Sequence, residues 1–218
     1  IGGYKIAVGS LFYFVAYLSD TNSYINASYF DNKVNDVLPE KLEQYKKIDI
    51  LDNIAKATGI SRGVCVKNNL NSGGAQYLLK NVDENFWRKV LDDCITIRIS
   101  LQGFNRKYFA SESKGYQSWA ADMWAVLWNL WYNDIETKVV KSLDFAWAPD
   151  PISKLEQCNI FHNAGIASTD QGGYPCFYKG KYVDGSNPFT DPQLDEILNN
   201  EESKKHCTWY YANKLKEL

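Results

Sequence analysis

The sequence is poor in the residues that mark most metal and disulfide chemistry. Only two histidines occur in 218 residues, His162 and His206, and the five cysteines (Cys65, Cys94, Cys158, Cys176, Cys207) are odd in number and widely spaced. That pattern argues against a disulfide framework and for a reducing compartment, so a cytoplasmic location is expected. Cys158, His162 and Cys176 suggest zinc only weakly, because no C-x-x-C pair occurs and no fourth ligand is evident. An excess of one charge is also missing. The 24 basic and 26 acidic residues leave a net charge of −2, so no overall field draws the chain to nucleic acid or to an anionic membrane. The longest nearly apolar run, KIAVGSLFYFVAYL at 5–18, is too short to span a bilayer and has no cleavage-site pattern after it. It reads as buried strand, and no transmembrane segment is expected. Methionine occurs once, at Met123, which leads us to expect a missing upstream region.

What the chain has in abundance is aromatic: 15 Tyr, 10 Phe and 7 Trp. Flat rings suit a large core and also the apolar faces of sugars. The length fits a single α/β domain over 1–218. The strongest helix signal covers 83–101, with Asp83 as cap, Glu84 in the first turn, and Phe86, Val90, Leu91, Cys94 and Ile95 at helical spacing. A second helix is predicted from Gln117 to Tyr132, its Trp124, Leu127, Trp128 and Trp131 forming a core stripe. Residues 39–58 and 192–216 also read as helical. Strands are predicted at 5–8, 11–18, 64–66, 75–80, 137–141 and 158–162, and their alternation with helices favours layered α/β architecture. From 149 onward glycine and proline are frequent (PDP, QGGYP, YKGKYVDGSNP), so the C-terminal part is expected to be rich in loops.

Four stretches carry candidate chemistry. In LSDTNSYI (18–25), Asp20 and Asn22 follow an apolar strand, where two oxygen-bearing side chains suit a hard divalent cation; taken alone, the stretch reads more simply as a strand-to-turn cap. In NLNSGGAQYLLKN (69–81), a glycine pair precedes a strand, so something must approach the main chain there, with Asn71 and Gln76 adding directional hydrogen bonds. An Asn-Ser-Gly turn explains it equally well. In QSWAADMWAVLW (117–128), Asp122 sits near a helix N-terminus, which stabilises a carboxylate, and it is also placed to receive a sugar hydroxyl or act as a base. In NIFHNAG (159–165), His162 ends a short apolar run ahead of Gly165, with FYKGKY following at 177–182.

Taken in order, these stretches resemble the glycosyltransferases of the GT-A fold. LSDTNSYI looks like the Asp-x-Asp motif, with Asn22 in place of the second carboxylate. NLNSGGAQYLLKN resembles the strand that contacts the transferred sugar, QSWAADMWAVLW the later acidic segment, and NIFHNAG with Lys179 or Lys181 the His-x-x-Gly-x-x-Lys element. The resemblance implies a mixed sheet flanked by helices. It also implies Mn²⁺ or Mg²⁺ held by Asp20, Asn22 and His162, donor contacts from Asn71, Gly73, Gly74, Gln76, Lys179 and Lys181, and Asp122 as catalytic residue. A nucleotide-sugar donor and a saccharide or glycoconjugate acceptor follow as partners. Such enzymes carry roughly a hundred residues of nucleotide-binding βαβ structure before the Asp-x-Asp strand, whereas 19 precede Asp20, so truncation at the N-terminus is expected. The alternative from another class is a carbohydrate-binding or pseudo-enzyme module.

Overall fold

The computed structural model of the chain describes residues 5–8, 11–20, 25–80, 82–163 and 173–217. It is mixed α/β, mostly helical with small sheets, and divides into two compact units, Ile1–Lys141 and Ser142–Leu218.

The first unit is organised by β2 (Leu11–Leu18), which pairs antiparallel with β1 (Lys5–Val8); the two strands, though not their pairing, are as the apolar run predicts. Five helices follow in sequence around it: α1 (Ala27–Asn32), α2 (Leu42–Tyr45), α3 (Ile50–Ala57), α4 (Arg62–Lys67) and α5 (Glu84–Tyr108). Side-chain caps start four of them. Asn26, Asp49, Ser61 and Asp83 accept hydrogen bonds from the backbone N–H of Tyr29, Asp52, Val64 and Phe86, satisfying donors that a helix start leaves open. The last helix of the unit, α6 (Ala121–Tyr132), is entered through a 3₁₀ turn at Ser118–Ala120. The C-terminal half of β2 is flanked by β3 (Tyr77–Leu78), antiparallel, and β4 (Glu136–Val139), parallel.

Several sequence expectations shift for identifiable reasons. Residues 64–66 are helix, not strand, because the Ser61 cap on Val64 overrides the β-preference of two valines. The strand expected at 75–80 shrinks to two residues, since β2 ends at Leu18 and only Tyr17 and Leu18 pair with it. The helix expected over 39–58 is broken between Tyr45 and Ile50, where Asp49 caps a new start. In α5 the inward face is Phe86, Val90, Asp93, Ile97, Leu101, Asn105 and Tyr108, so Leu91 and Ile95 point outward.

The core of this unit is aromatic. Trp124, Leu127, Trp128 and Trp131 are buried as the stripe predicts, and so is almost every other residue of α6. A polar network ties it to α5. The carboxylate of Asp93 accepts from Lys89 Nζ at 2.7 Å and from Asn129 Nδ2 at 2.7 Å, and Lys89 also donates to the Thr58 carbonyl at 2.9 Å.

The second unit contains β5 (Phe145–Trp147), paired in parallel with β6 (Ile160–His162), followed by α7 (Gln193–Asn199) and α8 (Cys207–Lys216). The break between α7 and α8 replaces the continuous helix expected over 192–216. There the Asn200 side chain accepts from the N–H groups of Glu202 and Ser203, local bonding that competes with a helical ladder. Phe177, Leu194, Ile197 and Ala212 form the small core. All five cysteines are free thiols. No helix among the described residues is long and apolar enough to cross a membrane.

Gly73 and Gly103 make a matched test of this packing. A Cβ at Gly73 would stand 2.3 Å from the Ser19 carbonyl oxygen, whereas one at Gly103, within α5, would meet nothing within 4 Å. Gly73→Ala should lower stability by roughly 1–3 kcal/mol or more, while Gly103→Ala should raise it by up to about 1 kcal/mol. Chemical denaturation of the two variants beside the parent checks both signs.

Candidate functional site

The end of β2 is where the sequence-predicted residues of the first unit gather. Leu18 is fully buried between its flanking strands, and Ser19, also fully buried, binds the 71–76 segment through four hydrogen bonds. Its N–H donates to Gln76 O (3.1 Å) and its carbonyl accepts from Gly74 N–H (3.1 Å). Its hydroxyl donates to Gly74 O and accepts from Gln76 N–H. Asp20 follows as the first exposed residue past the strand, and Asn71 is exposed at the start of the turn. What approaches the main chain at the glycine pair is therefore the strand end itself: Gly73 abuts the Ser19 carbonyl, and Gly74 lies against Tyr77 and Met123.

The same turn holds backbone strain. Ala75 has φ of 62°, and Gln76 N–H reaches back to Gly74 O at 2.7 Å. That is a γ-turn with a non-glycine residue at positive φ, a rare and strained conformation. Strain of this kind persists only where surrounding contacts over-determine it, and it concentrates at functional sites. The Ser19 bonds are such contacts.

Asp122 lies in the first turn of α6, exposed between buried Ala121 and Met123. The Met123 side chain packs on Gly74, 3.3 and 3.4 Å from the place a Cβ would occupy, so the start of this helix rests directly on the glycine turn. Burial raises the pKa of the Cys94 thiol on α5, and the Asp122 charge raises it further while Arg98 opposes the shift. Asp20, Asn71, Gly73, Gly74, Gln76 and Asp122 thus occupy segments that the first unit joins through direct contacts. Asn22 lies outside the described residues.

The remaining candidates belong to the second unit. His162 ends β6 in register with Trp147, and its ring packs on Phe145 with centroids 5.0 Å apart. Burial lowers its pKa, and the Lys179 charge lowers it further, so the imidazole is neutral at ordinary pH, the form that offers a lone pair. The two candidate lysines part company here. Lys181 Nζ is 2.7 Å from the Asp191 carboxylate, which that lysine, the Gln193 N–H and the Tyr182 hydroxyl hold at about 2. Lys179 forms no ion pair among the described residues, and its charge is the one that reaches His162. Gly165 lies outside the described residues. Cys176 is hydrogen-bonded to Thr208 and Tyr174. Among the described residues no group of three or more His, Cys, Asp or Glu side chains is arranged to hold a metal ion.

Sequence reasoning passed over a polar pocket of about 430 Å³ in the first unit. Arg62 on its wall grips both oxygens of Asp31 at 2.8 and 2.9 Å and reaches Asp49 at 3.2 Å. Tyr45 and Tyr116 join their hydroxyls at 2.6 Å, and Tyr116 also donates to the Phe30 carbonyl. Burial pushes both phenols above their ordinary pKa. These residues are scattered from 30 to 116 with no motif spacing, so nothing in the sequence marks them as a set.

No protein-family profile, curated protein or solved structure matches the chain.

The lowered pKa of His162 fixes the sign of a pH effect. The folded chain binds this proton less tightly than the unfolded chain, whose imidazole titrates near 6.5. The stability due to the neutral ring is complete above 6.5 and is lost as pH falls from there through the lower folded value. Thermal unfolding from pH 8 to pH 5 should show this decline, and His162→Phe should shrink it; an equal decline in that variant would remove His162 as its source.

Proposed function

We propose that the chain is a nucleotide-sugar-dependent glycosyltransferase of the GT-A type, acting on a saccharide or glycoconjugate hydroxyl. The observation that carries this reading is the Ser19 junction. Three stretches about fifty residues apart in the chain, singled out for the same chemistry, meet through four hydrogen bonds and the Met123–Gly74 contact. In this reading the donor sugar lies along the exposed side of the turn near Asn71 and Gln76. Asp122 binds a sugar hydroxyl or takes the acceptor proton from the first turn of α6, where its side chain is exposed. The resemblance gives Lys179 the task of offsetting charge on a leaving diphosphate, and among the described residues it forms no ion pair.

Mn²⁺ or Mg²⁺ is the cation this reading calls for. Of the ligands the resemblance implies, Asp20 in the first unit offers an exposed carboxylate and His162 in the second a neutral imidazole, donor types suited to such ions, and Asn22 lies outside the described residues. The cation would neutralise charge on the departing phosphates.

One observation favours the second reading, a non-catalytic carbohydrate-binding module: the Ser19 carbonyl accounts for Gly73 without any sugar. Asp122→Asn separates the two. A panel of nucleotide sugars and acceptors with Mn²⁺ present should show transfer by the parent chain. In the variant, transfer should fall on the order of a hundredfold or more while donor binding and thermal unfolding change little. Saccharide binding with no transfer or donor hydrolysis would establish the binding module. Calorimetric titration with Mn²⁺ supplies an independent check: affinity should weaken in Asp20→Asn and on acidification through the range where His162 protonates.

A further inference from the structure

Two residues at the entry to α6 escape the burial that governs the rest of that helix. From Ser118 to Trp131 every residue is buried except Trp119 and Asp122. The 3₁₀ turn at Ser118–Ala120 runs directly into the helix, with the Ala121 N–H donating to the Ser118 carbonyl. Trp119 and Asp122, three residues apart on this continuous helical path, therefore stand on one side of it with their Cβ atoms about 5–6 Å apart. Trp119 is the most exposed of the seven tryptophans, at 63%. Asp122 forms no ion pair among the described residues. Trp87 offers a contrast within the same unit. It too is exposed and has a carboxylate three residues away, Glu84, but Arg88 binds that carboxylate.

We propose that Trp119 and Asp122 form a saccharide subsite, in which one pyranose lays its apolar C–H face on the indole and donates a hydroxyl to the Asp122 carboxylate. With the turn near Asn71 and Gln76 given to the donor, this subsite takes the acceptor sugar. A ring beside a carboxylate also suits an ammonium ligand, and Arg98 decides against that occupant. Arg98 is exposed on α5, and its charge counters that of Asp122 at the Cys94 thiol. A cation drawn to the carboxylate would meet this like charge, whereas a neutral polyol is indifferent to it. The subsite rests on the sugar chemistry proposed above, which the transferase and the binding module share.

Saturation-transfer difference NMR on the whole chain tests it, with the methyl pyranosides of glucose, galactose, mannose, xylose and N-acetylglucosamine as probes. At least one should bind, with transfer concentrated on the C–H protons of one ring face. Trp119→Ala should weaken that binding on the order of tenfold or more, Trp119→Phe should retain part of it, and Trp87→Ala should match the parent. Trp119 is exposed, so circular dichroism and thermal unfolding should stay unchanged in its variants. Where transfer is measured, Trp119→Ala should raise the acceptor KM on the order of tenfold and leave kcat and donor binding near the parent values. A parent that binds none of the probes, undiminished binding in Trp119→Ala, an equal loss in Trp87→Ala, or tetramethylammonium displacing the bound pyranoside would overturn the subsite. Transfer by the parent with an unchanged acceptor KM in Trp119→Ala would overturn the subsite alone. Pyranoside binding that depends on Trp119, with no transfer from any nucleotide sugar, would uphold it and overturn the transferase reading alone.

Discussion

The burial of α6 on nearly all sides is the constraint on which the first unit depends. Three of its tryptophans, Trp124, Trp128 and Trp131, are at most 8% exposed. A buried indole removes roughly 150–250 Å² from water, several kcal/mol each by area, and unfolded-state compactness makes such sums upper values. This helix does more than fill volume. Trp131 Nε1 donates to Thr137 Oγ1 at 3.0 Å, and that hydroxyl donates to the Asn71 carbonyl at 2.9 Å. Met123 at its other end rests on Gly74. The core helix therefore grips the 71–76 turn at both ends, and the strained Ala75 is held from the sheet side by Ser19.

The polar atoms within this core decide how its helices are matched. Asp93 is 6% exposed on the inner face of α5 and binds Lys89 and Asn129 together. A buried carboxylate without partners is strongly unfavourable, so the pairing admits few alternative alignments of α5 on α6. Lys89 also lies 4.7 Å from the centre of the Tyr132 ring. With the inner face of α5 assigned to this network, Leu91, Ile95 and Ile99 are left on the outside.

The two units place polar residues by the same device. In the first, Ser19 and Asp20 follow β2; in the second, His162 ends β6, with the Lys179 charge acting on its ring. In both, a short apolar strand delivers a polar residue at its C-terminal end. Burial performs different work in each place. At Ser19 it forces every backbone and hydroxyl group to find a partner, and at His162 it discourages the charged form of the ring.

The strands β1 and β2, the Asp83 cap and the tryptophan stripe of α6 were all legible in the sequence, because each rests on local periodicity or on a cap within three residues of the group it satisfies. So was the need for close backbone approach at Gly73, since only a missing side chain permits it. What approaches was decided by tertiary structure. The partner is Ser19, 54 residues earlier, and no spacing rule relates the two. The inward face of α5 is a similar case: Leu91 and Asp93 compete for one side of the helix, and hydropathy favours the leucine. The carboxylate turns inward because Lys89 and Asn129 wait there, a pairing that exists only once α6 has packed.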